Sequence, residues 1–201
     1  DYAEYNFAFW DKVDIDWDEA YKNALKSVLA TNDIYEYYKE LARFLALLND
    51  GHSGVTLPMV IMQSAEYYSM LPIYTARIGK DIVVFGVAEE HTEQIPLLSK
   101  IKEINGVEIN KYIRENCYPY IWHGNEDACG NAATIELIYG RAGSEEDLLF
   151  EKDGKSCSAK LKRVDANGIK WHVYNAPAKQ DPESRTFLDE ESVKIEITGD
   201  G

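Results

Sequence analysis

Positive charge is scarce in this chain: 21 lysines and arginines face 35 aspartates and glutamates, a formal net charge of -14 over 201 residues. So acidic a surface repels phosphate backbones and anionic lipid, which argues against nucleic-acid and membrane-surface binding and tolerates basic peptides. Cysteine is scarce too. Cys117, Cys129 and Cys157 are too few to staple a disulfide-built scaffold. Cys117, His123 and Cys129 fall at even six-residue intervals, a spacing that matches no compact zinc pattern. Burial or one optional disulfide accounts for them, and no metal or other cofactor is expected. No apolar run approaches the ~20 residues of a membrane span. No Gly-x-Ser-x-Gly elbow occurs, and Ser53, Ser64, Ser69 and Ser99 have no activating context. The chain opens Asp1-Tyr2 without an initiator methionine or signal-like segment, so a trimmed or partial product is expected.

What is present begins with aromatics. Tyr2, Tyr5, Phe7, Phe9 and Trp10 form a dense cluster expected to pack on the helices that follow. Asp16 with Glu19 three residues on predicts a capped helix carrying Trp17, Ala20, Tyr21, Ala24, Leu25, Val28 and Leu29 at three-four spacing. Asp33 and Glu36 repeat the signature for a second helix, which should bury Ile34, Tyr37, Tyr38, Leu41, Phe44, Leu45 and Leu48. The short turn between them makes an antiparallel hairpin.

At Leu47-Leu48-Asn49-Asp50-Gly51-His52-Ser53-Gly54-Val55 the apolar helical run stops. Gly51 is the expected left-handed helix stop. His52, just past it, is either a surface-packed histidine or a general base, since imidazole titrates near neutrality. Asp50 has two open roles, orienting that imidazole or capping the turn's backbone.

Alternating periodicity then takes over. Val55 to Met62 reads as a short extended segment interrupted by Pro58. Residues 71–78 and 82–87 flank Gly79-Lys80-Asp81 as a hairpin, and Ile101–Ile104 leads into Asn105-Gly106, a strong turn signal. Asn110 is the expected cap of a helix ending at Pro119; over Asp127 to Tyr139, Ala128, Ala132, Ile135 and Tyr139 favour a helix; and residues 148–164 close with a hairpin at Asp153-Gly154. His91, His123 and His172 read as loop or surface residues. From Asp165 the composition suggests a linker, with Val193 to Thr198 alternating as a strand.

The run Leu-Asn-Asp-Gly-His-Ser-Gly-Val, with Asn6-Phe7-Ala8-Phe9-Trp10, Ile15-Asp16-Trp17-Asp18 and Ile101-Lys102-Glu103-Ile104-Asn105-Gly106, resembles the tricorn-like, C-terminal-processing serine peptidases as far as about Arg163. That resemblance implies an α+β chain: a helical bundle over 1–56 ending in the Asp-Gly-His turn, a connector over 57–70 and a PDZ-like small β-barrel over 71–164. Residues 165–201 would then be a linker and the opening strand of a further α/β catalytic domain. It implies His52 as the general base, Asp50 as a possible orienter, and a nucleophilic serine on a catalytic domain beyond this chain, which alone would be inactive. A peptide or protein substrate and an extracytoplasmic, periplasmic or secreted, setting follow from the same resemblance. The alternative is a non-catalytic relative binding a hydrophobic ligand or peptide. Two departures stand out. Gly51 replaces the auxiliary serine of the tricorn branch, and Leu97-Leu98-Ser99 replaces a glycine before the Ile-x-x-Ile-Asn-Gly strand.

Overall fold

A computed structural model describes residues 2–175, Tyr2 through its backbone alone. After a short helix α1 (Tyr2–Asn6) and a 3-10 turn at Trp10–Lys12, helices α2 (Trp17–Leu29) and α3 (Ile34–Ala46) form the hairpin. The N-cap half of each signature forms: Asp16 accepts the Glu19 N–H at 2.9 Å and Asp33 accepts that of Glu36 at 3.0 Å, while the Glu36 carboxylate accepts the N–H of Asn32, the residue before the cap. A relay of rings ties the N-terminal cluster to the hairpin. Phe7 meets Trp10, Trp10 meets Trp17, and Trp17 stacks on Phe44 with centroids 4.5 Å apart. The apolar stripe of the hairpin is less buried than its periodicity suggests. Ala42 and Leu48 are buried, whereas Ile34, Tyr37, Tyr21, Leu25 and Leu29 remain exposed. Two helices alone cover only one another's inner faces.

Pro58 is the N-cap, its carbonyl oxygen accepting the Ile61 and Met62 N–H groups, so Met59–Met62 forms a single turn, α4, where an extended segment was expected. Strand β1 (Ser69–Met70) follows, then the hairpin of β2 (Ile73–Ile78) and β3 (Asp81–Ala88) around Gly79 at φ 64°. Strands β4 (Lys100–Ile104) and β5 (Val107–Glu108) turn at Asn105-Gly106, both residues at positive φ, as a type I′ turn demands. Helix α5 (Ile109–Asn116) is capped by Glu108, whose carboxylate accepts the N–H groups of Asn110 and Lys111. Asn110, the expected cap, is thus a capped residue; the Glu108 carboxylate, two residues earlier at the N-cap, reaches both free donors. Helix α6 (Glu126–Ile138) runs into β6 (Tyr139–Gly140), and β7 (Glu145–Lys152) pairs with β8 (Lys155–Lys162) along their whole length.

The main sheet is antiparallel in the order β2-β3-β4-β7-β8, with β5 added to β4; β1 and β6 form a separate ribbon. Its core contains Ile73, Val84, Ile101, Ile104, Leu148, Phe150 and Leu161, all at most 1 % exposed. The fold is α+β, but the sheet does not close into the expected barrel. β2 and β8 lie at opposite ends of the ladder and are unpaired with each other. Helix α6 packs against β2 and covers that side with a helix where closure needs a strand. Gly130 on α6 leaves room for the Arg77 guanidinium from β2, which a Cβ there would meet at 2.0 Å.

The expected linker also contains structure. β9 (Trp171–Val173) pairs with β3, bringing His172 opposite Val87 and stacking Trp171 on Tyr74 at 4.0 Å. The polar composition around it conceals a strand of three residues whose partner lies far back in the chain. The strand expected at Val193–Thr198 lies outside the described residues.

Candidate functional site

The end of α3 positions the Asp50–His52 turn. Asn49, not Gly51, takes the left-handed conformation, at φ 49°. Asparagine tolerates that region, and it sits one step nearer the helix end, where the backbone must reverse. Asp50 then closes the turn. Its Oδ2 accepts the His52 backbone N–H at 3.2 Å, and its backbone oxygen accepts the Ser53 N–H at 3.3 Å. The Ser53 hydroxyl is the main influence holding the Asp50 carboxyl below its ordinary value; desolvation opposes it, and His52 adds to the lowering.

His52 projects from this turn with its side chain 98 % exposed, its Nδ1 3.7 Å from Asp50 Oδ1. That separation is an electrostatic approach rather than a hydrogen bond. Asp50 acts foremost as the clasp of the turn and faces only one ring nitrogen. The ring's Nε2 is left to solvent. Beside it lies a cleft of about 430 Å³ walled by Phe7, Phe9, Leu45, Leu48 and Asp50.

A second loop, Trp122–Gly124, braces the turn, a role its sequence does not announce. The two segments run past each other in opposite directions, and glycines permit each contact. A Cβ on Gly54 would fall 2.4–2.6 Å from three indole carbons of Trp122; one on Gly124 would come within 3.0 Å of the Asn49 carbonyl oxygen. One on Gly51 would meet His123 Nδ1 at 3.6 Å. His123, expected at a free surface turn, therefore lies against the residue preceding His52. The spaced glycines on both segments were the available signal.

Among the described residues, no base stands beside Ser69 or Ser99, serines for which the sequence shows no activating context. The Ser53 hydroxyl serves Asp50, that of Ser69 donates to the Ala65 carbonyl oxygen at 2.5 Å while fully buried, and Ser99 is buried. Cys117, Cys129 and Cys157 are free thiols. Burial pushes Cys117 up to about 12, so it stays a thiol. Among the described residues, no cluster of histidine, cysteine or carboxylate side chains is arranged to hold a metal ion, and no helix is long and apolar enough to cross a membrane.

No family model matches this chain, and no curated protein matches it. Among solved structures, a photosystem II D1 C-terminal processing protease aligns with 78 % of this chain at 16 % identity and a TM-score of 0.38. The aligned chain spans 39 % of that protease. This is a distant likeness of fold, and it bears on neither chemistry nor substrate.

Proposed function

We propose that this chain is the N-terminal portion of a tricorn-like, C-terminal-processing serine endopeptidase and supplies His52 as general base to a serine on a further domain of the same parent. The observation carrying this reading is an imidazole that is 98 % exposed yet stands on a turn clasped by Asp50 and braced by Trp122. A base must reach a nucleophile on another body while its own position stays defined. In this reading residues 1–56 present the base, residues 71–164 act as a PDZ-like module that positions peptide, and the parent works outside the cytoplasm.

His52→Ala in the full-length parent tests it. Loss of general-base help lowers kcat by ~10²–10⁴-fold, with KM and melting temperature unchanged because so exposed a ring contributes little to folding. Full turnover in the variant would refute the role of His52 and favour the second reading, a non-catalytic binder of a hydrophobic ligand or peptide. Asp50→Asn separates that residue's roles: lost turnover at constant stability marks an orienter, and lowered stability with normal turnover marks a clasp.

A further inference from the structure

Near the His52 turn lies another cleft, of about 270 Å³, lined by Val55 and by the Trp122 ring that packs on Gly54. Its walls come from separate segments of the chain. Tyr38 stands on α3, Leu57 on the stretch between His52 and α4, Met62 on α4, Tyr120 on the 3-10 turn Tyr118–Tyr120, Trp122 on the bracing loop, and Ile135 on α6. Trp122 is held as a wall by the same contact that requires glycine at position 54. The floor and sides are rings and aliphatic carbon, the composition of a recognition pocket for an apolar group.

The charged groups lining the cleft, His123 aside, are Lys39 and Glu136, and they are already committed to each other as an ion pair. The Lys39 ammonium also lies 3.7 Å from the centroid of the Tyr120 ring. An anionic occupant would have to displace Glu136, and a cationic one Lys39. Either exchange would leave a half-buried charge unpaired. The pocket therefore selects against ionised groups. Its volume falls just below the range of drug-sized ligand sites and suits one large side chain.

The mouth is formed by Met62 and the 57 % exposed Ile135, and Met59 and Val60 beside Met62 are exposed as well. An extended chain has apolar surface to lie on there. The net charge of -14 favours a peptide whose flanks are basic.

We propose that this cleft receives one uncharged aromatic or large aliphatic side chain of a bound peptide, making it a specificity pocket whose lining begins at Val55, three residues after His52. That the peptide is a substrate rests on the peptidase reading; the binding itself does not. The 201-residue chain, titrated with the acetylated amides of phenylalanine, glutamate and lysine while the Trp122 indole N–H is followed by NMR, tests it without turnover.

The phenylalanine amide should shift that resonance saturably and bind at least ~10-fold more tightly than the two charged amides. Ile135→Glu, at an exposed position, should weaken it by a similar factor, and Ala132→Leu, at a residue of α6 that also lines the cleft, should block it by filling the space. His52→Ala should bind normally, so failure of the base assignment and failure of the pocket are told apart. Absence of a saturable shift, equal binding of all three amides, or unchanged binding in folded Ile135→Glu would overturn the proposal.

Discussion

Gly54→Ala probes the brace on which the His52 turn depends. The φ of Gly54 lies outside the left-handed region, so alanine meets no backbone strain there. In open space the substitution would stabilise by about 0.4–1 kcal/mol, because alanine restricts the unfolded chain. The new Cβ, however, would lie 2.4, 2.5 and 2.6 Å from Trp122 Cδ2, Cε2 and Cγ. These are ring atoms near the root of a rigid side chain, so relief requires moving the indole or parting the loops. Overpacking of this kind costs about 1–3 kcal/mol, which exceeds the entropic gain. The variant should therefore be destabilised, read by urea denaturation as a lower midpoint at unchanged m-value. In a Trp122→Ala background the clash disappears and the same substitution should become neutral or stabilising. The entropic gain cancels between the two backgrounds, which should therefore differ by the overpacking cost of about 1–3 kcal/mol, within the range of directly contacting pairs. A neutral or stabilising Gly54→Ala in the native background would refute the geometry. So would an equal penalty with and without Trp122.

Two more outcomes follow from single residues. Leu98 holds φ 64° at a position 39 % exposed; relieving about 1–2 kcal/mol of left-handed strain against glycine's entropic cost of about 0.5–1 should make Leu98→Gly stabilising, raising Tm by about 1–4 °C. A fall in Tm would mean that packing of the leucine outweighs its strain. Asp33 accepts the Glu36 N–H and pairs with Arg141, and these hold its carboxyl below its ordinary value. Its contribution to stability is thus present above the unfolded value of ~3.9 and lost as pH falls through the lower folded value. Urea denaturation of Asp33→Asn should show a stability gap from the native chain at pH 6 that closes in strong acid. A gap unchanged by acidification would refute the linkage.

Elements set by short-range chemistry were legible before any coordinates. Asp16/Glu19 and Asp33/Glu36 announced two helices because a cap and its donor lie three residues apart, and Asn105-Gly106 and Asp153-Gly154 announced turns because each pair takes positive φ. His52 stood out as an exposed histidine at a helix end for the same local reason. Tertiary structure decided what depends on partners distant in sequence. α6 against β2 leaves the sheet open, and β3 recruits Trp171–Val173 from a polar stretch. Trp122 settles on Gly54 across 68 residues, turning an unremarkable Ile-Trp-His-Gly run into the wall of both the turn and the cleft. Capping and turn propensities are properties of a few consecutive residues. Which distant surfaces meet is determined only by the packing of the whole core.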